Sequence, residues 1–162
     1  MNTTVEEPVT LHISIQDMSP LYEDQVWVLA QEMWQESVSH NDMQLDREKL
    51  MQQLRASQQN PNVYFKLAIR GGEVLGGFFG LISKVYFSEE LAARDMAWFV
   101  KKSSRGSYAA VMLVHDWERW GKGRGVSKFF LGQSTGVNVE VTRRLYEKMG
   151  YRVVGFNTVK EC

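Results

Sequence analysis

Gly71-Gly72-Glu73 separates two strand-like runs, Val63 to Arg70 and Val74 to Phe87. Glycine tolerates the positive φ that tight hairpin turns need, so this stretch reads as an antiparallel hairpin. That commits the middle of the chain to a sheet. Gly76, Gly77 and Gly80 inside the second run predict a bend or a close backbone approach.

The flanking segments supply more strands and the helices to cover them. Val9 to Gln16 alternates apolar and polar residues, the period of a half-buried strand. Ser19-Pro20 reads as a helix N-cap followed by a first-turn proline. Tyr22, Val26, Leu29, Ala30 and Met33 then recur at helical spacing, predicting an amphipathic helix over 20–37. Asp46 caps a second, more polar helix through about Ser57. Met96 to Val100 is a short apolar strand. Ser104 to Gly121 is a helix, with Ala110, Leu113, Val114, Trp117 and Trp120 on one stripe. Val126 to Leu131 is a strand, and Val139 to Met149 a helix stopped by Gly150. Tyr151 to Val159 reads as a last strand or hairpin. The order βααβββαβαβ puts antiparallel neighbours early and strand–helix–strand crossovers late, hence a mixed sheet covered by helices. The 162 residues suit one domain, with residues 1–8 a flexible lead.

Composition narrows the partners. Formal net charge is zero, which argues against a nucleic acid or anionic membrane held by bulk charge. Arg143, Arg144 and Lys148, with Lys122 and Arg124, are the residues that could still form a basic patch. Their plain reading is a solvated helix face and a turn. The one cysteine, Cys162, allows neither an intramolecular disulfide nor a cysteine-based zinc cluster. His12, His40 and His115 are scattered over a strand, a loop and a helix, and suggest no metal site. The N-terminal residues carry acids and no apolar run, and no stretch approaches the ~20 apolar residues of a membrane helix. A cytosolic protein is expected.

Two segments carry chemistry. In Trp98-Phe99-Val100-Lys101-Lys102-Ser103-Ser104-Arg105-Gly106-Ser107-Tyr108-Ala109-Ala110 a strand ends, a polar loop follows and a helix begins among small residues. A helix start leaves N–H groups unpaired and carries positive partial charge, so it suits an anion such as a diphosphate. Lys101, Lys102 and Arg105 add charge. The plain alternative is a strand-to-helix turn that binds nothing. The second segment is Leu145-Tyr146-Glu147-Lys148-Met149-Gly150-Tyr151. By pattern alone Val141, Leu145 and Met149 form the core stripe of this helix and Tyr146 packs at its edge.

Together the two segments resemble the GNAT acetyltransferases. That family's cofactor motif runs strand, Q/R-x-x-G-x-G/A, helix, and its later motif reads L-Y-E-K-x-G-F/Y. Residues 145–151 match the second at every fixed position, and Arg105 follows Val100 at the family's spacing. Tyr108 stands in the first glycine slot and Ala110 in the last small position. The Arg-Gly-x-x-Ala-Ala variant and Gly132-Gln133-Ser134-Thr135-Gly136 look like GNAT-like proteins of phage and prophage genomes. The resemblance implies the GNAT acyl-CoA N-acyltransferase fold, a mixed α/β architecture with about six to seven strands and about four helices. It implies acetyl-CoA as cofactor, with the main chain of Phe99 and Val100 against its pantetheine arm. The N–H groups of Arg105, Gly106, Ser107, Tyr108, Ala109 and Ala110 would hold its diphosphate.

Tyr146 falls at the family's general-acid position. Asp95 is the base the phage-like resemblance suggests. Other family members carry theirs one residue earlier, at Arg94, and strand alternation would turn Asp95 to the other face unless a bulge intervened. Glu89 and Glu90 are the fallbacks. Asn138 reads as the N-cap of the last helix. The acceptor would be a primary amine of a small molecule or a protein, selected by residues within Met33–Asp46 and Ser83–Arg94. Family members are often homodimers. The competing reading is a GNAT fold without catalysis that binds or inhibits a partner protein.

Overall fold

A computed structural model describes residues 11–162. Nine regular elements follow in order: β1 (Ser14–Asp17), α1 (Glu23–Glu36), α2 (Arg47–Ser57), β2 (Val63–Arg70), β3 (Glu73–Lys84), β4 (Leu91–Val100), α3 (Ala109–Lys122), β5 (Lys128–Phe130) and α4 (Val139–Lys148). The sheet runs β1-β2-β3-β4-β5; its first four strands are antiparallel neighbours and β5 joins β4 in parallel. Residues 9 and 10 of the expected first strand lie outside the described residues.

Helices cover both faces. Val26 and Leu29 of α1 and Met51 and Leu54 of α2 pack on Leu67, Ile69 and Val74. On the other face Leu113, Val114 and Trp117 of α3 pack on Tyr64, Ala68, Phe78 and Ala93. β3 sits at the centre of the sheet, which is why its alternation is blurred and its residues are buried on both sides. Gly80 answers to that crowding: a Cβ there would stand 2.6 Å from the Trp117 indole nitrogen. The Asp46 carboxylate accepts from Lys49 N–H at 3.0 Å and caps α2 as its sequence suggests.

The structure corrects several boundaries. The strand after the hairpin stops at Lys84 rather than Phe87, and Phe87 turns the corner at φ +64°. β4 begins at Leu91, five residues before the apolar run that marks it in the sequence. α3 begins at Ala109 rather than Ser104, because Lys102–Ser104 forms a separate 3-10 turn and Gly106 at φ +88° breaks any continuous helix. The expected final strand does not form. Residues 152–162 are exposed and make no ladder, so the sheet has five strands among the described residues, not six or seven. Alternation marks a chain able to be a strand, but a strand also needs a neighbour, and β5 pairs only with β4. No helix among the described residues is long and apolar enough to cross a membrane.

Candidate active site

The site lies where β4 and β5 part. Their parallel pairing covers only Ala92–Arg94 against Lys128–Phe130. β4 runs on to Val100, whereas β5 ends at Phe130 and the segment after it, through Gly132, leaves the ladder. Antiparallel ladders alternate between paired and outward-facing main-chain groups. The Lys101 N–H donates to Leu75 C=O at 2.9 Å, which sets the phase of that alternation against β3. Ala97 and Phe99 therefore spend their polar groups on β3, and Trp98 and Val100 present theirs to the opening. Of the two main chains expected to line it, Val100 does so and Phe99 does not; Trp98 takes that place. The Val100 carbonyl already accepts from Arg105 Nε at 3.1 Å.

Asp95 reaches this opening through a bulge. Phe79 opposes Ala97 but Gly80 opposes Asp95, so Met96 is the extra residue on β4. One inserted residue reverses the side-chain parity. Asp95 thus shares a face with Trp98 and Val100, which a regular strand would have denied it. Its Oδ1 accepts the Gly132 N–H at 2.8 Å. Burial pushes the Asp95 carboxyl up to about 6, with the Gly132 N–H partly opposing the rise.

Tyr146 approaches the same residue from α4. It is 9% exposed and is the buried side chain of that helix, whereas Val141 is 66% exposed, so the helix turns a different stripe inward than its apolar pattern predicts. The phenol donates to Gly132 C=O at 2.6 Å, and its ring stacks on Trp98 with centroids 5.7 Å apart. Burial first, then the Asp95 charge, push the phenol well above the usual tyrosine range. Gly150 closes α4 at φ +91°. Asn138 stands at the N-cap position but at φ 46°, and its side chain makes no cap bond, so the expected capping role is not fulfilled.

The loop between β4 and α3 is built in an unexpected way. Arg105 bonds Glu36 at the end of α1 through both guanidinium NH groups and lies over the Phe99 ring. Lys101 pairs with Glu73, and the Lys102 N–H donates to the Glu32 carboxylate at 2.6 Å. Two of the three cations are thus spent within the protein, and the Arg105 side chain braces the loop. What remains for an anion is backbone. Ala109 N–H faces Ser107 Oγ, whereas the N–H groups of Gly106, Tyr108, Ala110 and Val111 have no partner among the described residues. Gly106 adopts a conformation that side chains strain against, and a Cβ there would meet nothing, so glycine serves the backbone rather than the packing. Tyr108 has an ordinary φ of −73° and is 79% exposed; its bulk points to solvent and leaves the loop open. A cluster of free N–H groups at a helix start fits a diphosphate.

The remaining candidates fall away from the opening. Glu89 pairs with Lys84, and Glu90 lies in the exposed turn between β3 and β4. Arg94 stacks on Phe130. Arg143 pairs with Glu140 and Glu147, and Arg144 with Glu140, all on their own helix. No group of three or more potential metal ligands occurs among the described residues. Sequence reasoning missed Glu36, Trp98 and Gly132 as site residues. Only Gly132 had a signal, as a glycine within the loop that resembles the phage-like group.

The fold is a mixed sheet covered by helices on both faces, with its two parallel strands parting beside the start of α3. The chain belongs to the acetyltransferase (GNAT) family, whose model matches residues 24–151. Membership carries the class of activity, an acetyltransferase with acetyl-CoA as its acyl donor. Solved structures agree in fold. The crystal structure of a transcriptional regulator from Bacillus halodurans C-125 superposes with a TM-score of 0.76 at 15% identity, covering 93% of this chain and all of that one. Aminoglycoside N-acetyltransferase AAC(6')-Iy in complex with CoA gives 0.76 at 15% identity, over 96% and 98% of the two chains. Glucosamine-6-phosphate N-acetyltransferase from Arabidopsis thaliana gives 0.71 at 16%, over 93% and 98%. No curated protein matches the sequence.

Proposed function

We propose that this protein transfers the acetyl group of acetyl-CoA directly to a primary amine, with Asp95 as general base and Tyr146 as general acid. The observation that carries the reading is the meeting of both side chains on Gly132, at the mouth where β4 and β5 separate.

Acetyl-CoA, when bound, supplies an acetyl group activated as a thioester. The N–H groups of Gly106, Tyr108, Ala110 and Val111 would hold its diphosphate, and the outward main chain of Trp98 and Val100 would hold its pantetheine arm. Asp95 is suited to take a proton from the amine, directly or through water. A carboxyl at about 6 is mostly ionised at neutral pH yet accepts a proton more readily than an ordinary aspartate. Tyr146 stays a neutral phenol at neutral pH, so it has a proton to give to a thiolate leaving group. Until then the phenol O–H donates to the Gly132 carbonyl. No acyl-enzyme is needed, since the one cysteine, Cys162, is exposed and lies at the far end of the tail.

A small-molecule amine is the acceptor class we favour. An aminoglycoside and glucosamine-6-phosphate are named for two proteins of the same fold, and both are amino sugars. The test is release of free CoA thiol from acetyl-CoA in the presence of a panel of amino sugars, polyamines and lysine peptides. Turnover with an amino sugar supports the reading. Turnover only with lysine peptides moves the acceptor to proteins, and no turnover with any amine rejects catalysis.

A further inference from the structure

The backbone from Gly132 to Val137 is held by its carbonyls from several elements at once. Gly132 C=O accepts from Tyr146 of α4, and Gln133 C=O from Asn157 Nδ2 at 3.1 Å. Ser134 C=O accepts from Ser39 Oγ, and Thr135 C=O from Val38 N–H at 2.7 Å. Val137 C=O accepts from Gln133 Nε2 within the segment itself. A loop left to solvent would satisfy these groups with water. This one has its carbonyls bonded at Gly132, Gln133, Ser134, Thr135 and Val137.

Two anchors come from the turn that follows α1. That turn is itself braced. His40 Nδ1 lies 2.8 Å from Ser37 Oγ and 2.9 Å from Ser39 Oγ, and its ring packs on Trp34 with centroids 5.3 Å apart. The Ser39 hydroxyl has one hydrogen, and the Ser134 carbonyl takes it. Toward His40 it can only accept, so Nδ1 carries a hydrogen and donates. The Val38 side chain closes on Gly136, where a Cβ would stand 3.1 Å from it.

We propose that Ser39, braced by His40, is a positioning residue for the acetyltransferase site: it fixes the Gly132 segment so that Asp95 and Tyr146 meet in register. The inference rests on the roles proposed for those two residues. It ties the segment between α1 and α2 to the proton-transferring pair, and it predicts that disturbing this turn damages turnover more than cofactor binding. Misplacing a reacting geometry by about 1 Å costs up to about 100-fold, and loss of one anchor of several should cost about tenfold.

The experiment compares wild type with Ser39→Ala and Ser39→Thr. We expect Ser39→Ala to lower kcat about tenfold with the acetyl-CoA dissociation constant unchanged, and to displace the acidic limb of the kcat/KM profile. Ser39→Thr keeps the hydroxyl and should restore both. Amide hydrogen exchange at Gly132, which needs no turnover, should quicken about tenfold in Ser39→Ala and return in Ser39→Thr. Unchanged exchange at Gly132 in a folded Ser39→Ala protein overturns the inference, whether or not the wild type proves active. An active wild type with Ser39→Ala equal to it in kcat and pH profile overturns it too. An inactive wild type with quickened exchange leaves the anchor standing as a structural fact, rejects the positioning role and refutes the catalytic reading separately.

Discussion

Asp95 and Tyr146 grip the two main-chain polar groups of one residue: Asp95 accepts the Gly132 N–H at 2.8 Å, and Tyr146 donates to the Gly132 C=O at 2.6 Å. A half-buried carboxyl and a buried phenol are thereby held on one peptide segment at the edge of the opening. Their environments push both upward, one to about 6 and the other out of the usual tyrosine range. That separation allows a base and an acid to coexist at neutral pH.

The first prediction concerns pH. If Asp95 must be ionised to accept a proton, kcat/KM falls below pH about 6 and is level above it. Asp95→Asn should lose this limb and reduce kcat about 100- to 10,000-fold. A rate profile from pH 5 to 8 on both proteins checks it.

Stability should move the other way. Burial raises the folded pKa of Asp95 above its ordinary 3.8 to about 6. Its contribution to stability is therefore fully present below pH about 4 and is lost as pH rises through about 6. Asn cannot ionise and can still accept the Gly132 N–H. Asp95→Asn should match wild type in Tm near pH 4 and exceed it near pH 8, as thermal unfolding at both values would show.

The loop makes separable predictions for two neighbours. Gly106→Ala forces a side chain into φ +88°, a strain of about 1–3 kcal/mol, and should weaken acetyl-CoA binding about 5- to 100-fold. Tyr108→Ala removes a side chain that points to solvent, and should leave binding within about twofold, the range usual for surface substitutions. Calorimetric titration of both variants distinguishes a backbone cradle from a side-chain site.

Glu36 braces the loop between β4 and α3 through Arg105, whose guanidinium holds the Glu36 carboxyl below the usual carboxylate range. That contribution is present above the ordinary range and is lost as pH falls through the lowered value. Glu36→Gln should lower Tm at pH 7 and weaken acetyl-CoA binding severalfold. The Tm difference should narrow as pH falls through that lowered value, where the wild-type pair also breaks.

What could be read from the chain and what could not divide by distance. The turn at Gly71-Gly72, the Asp46 cap and the stop at Gly150 are local, and each is present where its residues predict it. The bulge at Met96 depends on the register of β4 against β3, which no single strand encodes, and it decides which way Asp95 points. Tyr146 is buried because Trp98 stacks on it and the Gly132 carbonyl accepts its hydrogen bond, and neither lies on its helix. The apolar pattern of α4 chose Val141 instead. Arg105 was legible as a loop cation, but Glu36, its partner, sits on α1 far away in sequence. The last strand failed for the same reason, since alternation in residues 151–159 says nothing about whether a neighbour is present.

The most direct measurement of the central claim is calorimetric titration of acetyl-CoA into the wild-type protein beside Tyr146→Phe. The account predicts micromolar or tighter binding by both, with similar affinity, because the backbone cradle and not the phenol holds the cofactor. Absence of binding by folded wild type at millimolar acetyl-CoA would contradict it.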